Sequence, residues 1–497
     1  MQDIGPNERE IVQERLRKIA AFRESGIDPY PHRFDVTATA QQVREALEGT
    51  GPGESIPGSV RLAGRIRSKR TMGKVTFMDL HDPSGKIQLY FKSDRLGEDY
   101  GRLDWLDIGD FAGIQGERLR TRRGEPSIDV ESFSLLGKCI RPLPSEHYGL
   151  SDVEFRRRHR TVDLIMNPEV REVFVKRTRA IAALREFLDA RGYLEVETPA
   201  LQPIYGGATA RPFVTTLNAF DLKVYLAISP ELYLKRLVGG GLERVYTICK
   251  NFRNEGADAT HNPEFTMMEC YAAYQDYHDM MELTEQLYAH VFERVAGSTR
   301  VAYQDVELDF APPWRRVRMY DAVAERTGID VERLERDEIA AAIARLPGGR
   351  KIEVAAGDTK GMLVQELFEI YCQEHFVQPT FIIDHPREST PLCKAHRSSP
   401  ELIERFEPMV YGMEIGNAYS ELNDPILQRT LMNEQNRYVE EGEETLVDED
   451  FLRAMEYGMP MMGGLGLGVD RLVMLLANVR SIRDVIFFPF MRPSEEA

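Results

Sequence analysis

No run of about 18 uncharged apolar residues occurs in this 497-residue chain, so no membrane-spanning helix is expected. The opening MQDIGPNEREIVQERLRKIAAFRES is too charged for a secretory signal, and the expectation is a cytoplasmic protein without a membrane partner. Cysteine is sparse and scattered: Cys139, Cys249, Cys270, Cys372 and Cys393 form no C-x-x-C pair, and H-E-x-x-H is missing too. That pattern speaks for reduced structural thiols and against a cysteine or histidine metal cluster. A P-loop is also lacking, because Val75 follows Gly73-Lys74 where a hydroxyl is required. The glycines at 463, 464, 466 and 468 do not fit G-x-G-x-x-G and do not follow a βαβ pattern, which excludes a Rossmann site. A formal charge of −17 argues against a protein that coats nucleic acid, since neutralising phosphates needs a cationic surface. DNA is not an expected partner, and any nucleic-acid contact must be local.

What is present describes a folded, multi-domain chain. Hydrophobic residues at 42% and charged residues at 29% are ordinary for globular proteins, and the length exceeds one core. Ile11, Val12, Leu16, Ile19 and Phe22 fall at helical spacing and predict a helix over 8–24, closed by Gly26 and Pro29. From Ser59 to Leu136, five short apolar runs are broken by Gly73, by Asp82-Pro83-Ser84-Gly85 and by Arg123-Gly124. Five such strands suit a Greek-key barrel of the OB type. Pro142 and Pro144 stiffen a connector, which puts the boundary between a 1–145 and a 146–497 domain.

In the second domain, Val170, Val173, Phe174, Arg177, Ile181, Leu184 and Leu188 trace a helix ended by Gly192, and YLEVETP follows as a strand. Residues 220–275 and 408–423 read as strands of a large antiparallel sheet, flanked by helical stretches near 276–296 and 318–375. The fold class is therefore α+β rather than alternating βαβ.

The stretch YTICKNFRNEGADATHNPEFTMMECY, 246–271, carries the densest chemistry. In extended chain Arg253 and Glu255 share a face, as do Phe265, Met267, Glu269 and Tyr271. Taken singly, each residue also fits a surface hairpin. Together they offer a cation for phosphate, an aromatic plate for a base, and a carboxylate with a phenol for an amine. Two basic runs, Arg61, Arg65, Arg67, Lys69, Arg70, Lys74 and then Arg118, Arg120, Arg122, Arg123, concentrate on the barrel. Single-stranded bases are read by aromatic stacking beside such charges.

FRNEG with HNPEFT resembles motif 2 (about 244–271) of the class II aminoacyl-tRNA synthetases, in the wording of the lysyl members. Residues 170–199, ending in GYLEVETP, resemble motif 1, and GLGLGVDRL within 463–475 resembles motif 3. The resemblance spans nearly the whole chain, including the barrel, and implies an ATP-using ligase that joins lysine to tRNA(Lys) as a homodimer, with Mg²⁺ as cofactor. It implies Arg253 and Arg471 as catalytic cations, Arg253 at the α-phosphate and Arg471 at the γ-phosphate. It also implies ATP contacts from Glu255, His261, Asn262, Phe265 and Glu414. L-lysine would be held by Gly207, Glu231, Glu269, Tyr271, Asn417 and Glu421, Mg²⁺ by Glu414 and Glu421, and the anticodon by Phe77, Gln88 and Glu125.

Acidic pocket positions favour lysine over the aspartyl and asparaginyl members, whose side-chain carboxylate or amide calls for a different partner. A catalytically inert RNA-binding relative would not need Arg253, Glu255, Phe265, Glu414, Glu421 and Arg471 together, and a protein-lysylating paralogue would lack the barrel. Strict pleating sets Glu414 and Glu421 on opposite faces, so a shared site requires a bulge, with Gly416 as the candidate.

Overall fold

The computed structural model describes residues 6–144, 151–346, 352–435 and 447–493. The chain divides into two compact units, Met1–Ser151 and Asp152–Ala497. The expected boundary at 145 and 146 falls outside the described residues.

In the first unit, the helix Pro6–Glu24 precedes a closed barrel of β1 (Ser55–Met72), β2 (Val75–Asp82), β3 (Gly85–Lys92), β4 (Phe111–Arg120) and β5 (Pro126–Gly137), in the order β1-β2-β3-β5-β4. Alternation decides its inside. Leu62, Met78, Leu80, Leu89, Ile114 and Ile128 are buried in one core, whereas Phe77 lies between buried Thr76 and Met78 and points out. The helix docks through Phe22, whose ring meets Trp105 edge-on at 5.0 Å.

The second unit is built on one ten-stranded sheet. Two short strands come first in chain order, β6 (Leu194–Glu195) and β7 (Leu201–Gln202), followed by β8 (Val214–Leu217), β9 (Leu222–Leu226), β10 (Arg244–Phe252) and β11 (Glu264–Ala273). Next are the hairpin β12 (Arg300–Tyr303) and β13 (Val306–Asp309), then β14 (Arg315–Arg318), β15 (Thr380–Pro386), β16 (Ala395–His396) and β17 (Ser399–Val410). Last are β18 (Met413–Glu414), β19 (Gly416–Ser420) and β20 (Met462–Gly468). The main path runs β14-β15-β17-β19-β20-β11-β10-β6. Its interior is antiparallel as expected, but the outer pairs β14–β15 and β10–β6 are parallel, which makes the sheet mixed.

Three helices, Pro168–Asp189, Tyr277–Ala296 and Val469–Ala477, cover one face and bury Leu184, Leu188, Leu287, Tyr288, Leu465, Leu467 and Leu472 against it. The first begins with proline at its first turn, where no backbone donor is needed. It ends at Asp189, and Gly192 sits two residues beyond the Ala190 cap at φ 76°, a correction to its expected cap position. The span 220–275 is likewise less uniform than its pattern implies. β9 belongs to a separate three-stranded sheet with β7 and β8, and Glu231–Gly239 is a helix. Its buried Glu231, Leu234, Lys235 and Val238 repeat at helical spacing, a period obscured by two charges on the buried side.

Candidate active site

The open face of the sheet floors a cavity of about 1890 Å³. Residues directly opposite in antiparallel pairing share a face, so register alone aligns the lining in rows. Tyr271 of β11, Gly464 of β20, Tyr419 of β19 and Arg405 of β17 form one row; Glu269, Gly466 and Asn417 form the next. The motif GLGLG thus has a plain physical reading. Leu465 and Leu467 point into the core, while Gly464 gives its space to the Glu421 and Tyr271 side chains and Gly466 stays half-buried at the cavity floor. A Cβ at Gly464 would collide with Glu421 Oε1 and the Tyr271 ring.

The expected bulge lies between Glu414 and Ala418. β17 advances three residues from Phe406 to Met409 while its partner advances four, from Glu414 to Ala418. The extra residue brings Glu414 onto the face that carries Asn417, Tyr419 and Glu421, and both glutamates line the cavity. It does not bring them to one ion. Seven extended residues at about 3.3 Å each hold them roughly 20 Å apart along the strand, whereas Mg²⁺ ligands stand at about 2.1 Å. The shared Glu414–Glu421 metal site is therefore corrected, and the neighbour of Glu414 is Glu407. The Glu414 carboxyl is pushed up by burial among the cavity walls and then by the Glu407 charge.

At one end of the cavity, Arg253 lies over the Phe265 ring at 5.1 Å, and its buried Nε has no hydrogen-bond acceptor. Arg471, in the first turn of the helix Val469–Ala477, donates to the Glu414 carbonyl, approaches Glu414 Oε2 at 3.5 Å, and donates to His261 Nε2 at 3.2 Å. His261 Nδ1 in turn meets Asp258 Oδ2 at 2.9 Å. Glu255 Oε1 accepts from the Arg211 amide at 3.1 Å. Asn262 is buried and braces the hairpin by donating to the Glu264 carbonyl at 2.6 Å, while its Oδ1 is unpartnered.

Carboxylates dominate the other end. Glu231 opens the helix Glu231–Gly239, and Gly207, at φ 84°, presses so close that a Cβ there would meet Glu231 Cβ at 3.0 Å. Glu269 accepts from Ser229 Oγ at 3.0 Å and from the Tyr271 hydroxyl at 3.1 Å. Burial, and then the nearby Glu231, push the Glu269 carboxyl up to about 8. Glu421 is 1% exposed and is also pushed up to about 8, by burial and by Glu231 against the pull of Lys235. Asn417 Oδ1 accepts from Arg405 Nε at 3.0 Å, and its amide donates to the Tyr419 hydroxyl at 2.5 Å.

On the barrel, Phe77 stacks on Tyr90 at 5.0 Å, with Arg70 opposite Phe77 in the register. Gln88 accepts from Ser127 Oγ at 3.0 Å, and Glu125 is exposed in the turn closed by its amide on Thr121.

The family model "tRNA synthetases class II (D, K and N)" matches residues 152–492, and "OB-fold nucleic acid binding domain" matches 60–136. A lysine–tRNA ligase from Syntrophomonas wolfei is 51% identical over 100% of both chains. One from Clostridium novyi is 49% identical over 98% of this chain and 95% of its own. The chain belongs to the lysine–tRNA ligases of the class II synthetases. A third relative of the same name, from Carboxydothermus hydrogenoformans, is 47% identical over 98% of this chain and 99% of its own. Sequence reasoning about the synthetase missed Ser229, Lys235, Arg405 and Glu407. Lys235 had a signal, since Glu231 and Lys235 are four apart in ELYLK. Arg405 and Glu407 had the alternation of R-F-E, which fixes a shared face only once the strand is known.

Proposed function

We propose that this synthetase activates L-lysine with ATP and transfers it to the 3′ end of tRNA(Lys). One observation carries the reading: buried Glu231, Glu269 and Glu421 converge at one end of a cavity whose other end presents Arg253 and Arg471. A nucleotide lies with its adenine on Phe265 and its phosphates toward the two arginines, with Glu255, His261 and Asn262 bordering it. The amino acid lies across the floor, its carboxylate toward Arg253, its α-ammonium at Glu231 and Gly207, and its ε-ammonium at Glu421 and Tyr271. Asn417 and Glu269 border the aliphatic stem. A neutral or acidic side chain would leave buried carboxylates without a cation and is rejected.

No protein nucleophile is needed. The lysine carboxylate attacks the α-phosphate, pyrophosphate leaves, and a terminal ribose hydroxyl of tRNA then attacks the mixed anhydride. Arg253 and Arg471 act by position and charge. Glu407 and Glu414 fit Mg²⁺, being hard oxygen donors whose mutual repulsion a cation relieves. When bound there, the ion neutralises phosphate charge.

Phe77, Gln88 and Glu125 make up the anticodon contacts, with Arg70 beside the aromatic pair. The homodimer forms on the segment 170–199, where Val175 and Leu194 stand exposed at 38% and 52% beside an unpaired sheet edge. Sedimentation at micromolar concentration as a monomer would remove that assembly. The reaction draws on cytoplasmic ATP and tRNA, and no helix among the described residues is long and apolar enough to cross a membrane.

Exchange of pyrophosphate into ATP, measured with each of the twenty amino acids and no tRNA, should be supported by lysine well above all others. Strict dependence on added tRNA, or preference for aspartate or asparagine, would contradict the reading.

A further inference from the structure

Lys235 is fully buried, and its ammonium lies 2.6 Å from Glu231 Oε1 and 2.5 Å from Glu421 Oε2. It reaches them from the second turn of the helix that Glu231 begins, so the backbone fixes its position. Neither Glu421 oxygen receives a well-directed hydrogen bond, although both are buried. The Lys235 stem thus points its charge between the Glu231 and Glu421 carboxylates.

The balance of charge in that site has a simple form. Glu231, Glu269 and Glu421 bring three potential negative charges, and Lys235 brings one permanent positive charge. The remainder equals the two ammonium groups of a lysine substrate, whose carboxylate is matched separately by Arg253. We propose that Lys235 is a specificity-determining residue, a resident ammonium that sets the charge of the pocket to match a doubly cationic amino acid. The inference rests on assigning Glu231, Glu269 and Glu421 to the amino-acid end of the cavity.

Other groups face the same cluster. Tyr271 and Tyr419 stand on the two strands that flank β20 and stay neutral, their phenols raised chiefly by burial. Cys393, paired with Glu421 across an isolated bridge, has its thiol raised in the same way. Arg405 is occupied by Glu407 and Asn417, and Glu404 by Arg397 and Ser420. Lys235 is therefore the cation in direct contact with the pocket carboxylates. Burial alone would lower its basicity, yet Glu231 and Glu421 together hold it above the ordinary lysine range. It stays charged at every pH at which the enzyme works.

Removing that charge raises the proton affinity of the carboxylates around it, because each then faces only like charges. Lysine must bind the ionised pocket, so the acid limb of kcat/KM for lysine reports the free enzyme's carboxyl groups. Pyrophosphate exchange should be measured from pH 6 to 9.5 in wild type, Lys235→Met and Lys235→Arg, with ATP affinity followed by fluorescence as a check of fold. In Lys235→Met the midpoint of the acid limb should move up by about one pH unit. At pH 7 the KM for lysine should rise about tenfold, recovering toward wild type at alkaline pH, while kcat changes little. Lys235→Arg, which keeps the charge, should restore the midpoint. A KM raised by the same factor at every pH, or an equal shift in both variants, would reduce Lys235 to packing and overturn the proposal. Should Lys235→Met lose ATP binding, Lys235→Gln decides by the same midpoint. Failure of wild type to use lysine at all would instead refute the substrate assignment.

Discussion

Glu421 shows how two roles given to one residue separate once its surroundings are known. The sequence leaves it seven residues from Glu414 in a strand, and the resemblance implied for it both a lysine contact and a metal shared with Glu414. Burial, Lys235, Glu231 and Tyr271 instead surround it with the requirements of an ammonium site. Glu421→Gln keeps the shape but removes the charge proposed to face the substrate's ε-ammonium, a charge-assisted contact at a buried carboxylate. Lysine activation should collapse, and preference for lysine over norleucine, set by a site built to pair a polar group, should fall by a factor on the order of 10⁴. Affinity for ATP across Mg²⁺ concentrations should hardly change, since Glu407 and Glu414 lie elsewhere. An unchanged lysine-to-norleucine ratio would remove the recognition role, and a large loss of Mg²⁺-dependent ATP binding would return Glu421 to the metal.

At the scale of elements, β20 and the bulge before β19 do most to position these side chains. Gly464→Ala adds one methyl where Glu421 and Tyr271 already stand, and overpacking of that kind costs about 1–3 kcal/mol. The variant should fold with a lowered melting temperature and lose lysine affinity far more than ATP affinity; equal loss of both would mean the strand itself had been displaced. The alternation of glycine and leucine in GLGLG was visible in the sequence, but not what it made room for. The five barrel strands were legible because turn residues bound them, and the long helix 168–189 and the pairing of 244–252 with 264–273 because their periods are unbroken. The helix 231–239 was not, because buried Glu231 and Lys235 make its inner side look polar. The nearness of Glu407 to Glu414 was hidden as well, since it depends on a one-residue register shift between β17 and its partners.

For the whole molecule, the −17 charge coexists with two basic runs confined to the barrel unit, so charge and function divide along the same line. Phe77 stands outside the barrel core, and stacking of an aromatic ring on a base contributes about 1–3 kcal/mol. Phe77→Ala should weaken tRNA charging roughly five- to 150-fold, by that magnitude, and leave lysine-dependent exchange in the absence of tRNA intact. Loss in both assays would show that the ring supports the fold instead. The glycine floor has a consequence of another kind for the enzyme as a target of inhibitors. A competitor that lies flat on Gly466 touches backbone that no substitution can trim. Mutation there can only add atoms, and every atom added takes space from the enzyme's own substrate before it excludes the competitor, so escape by reshaping the floor would come at the expense of growth.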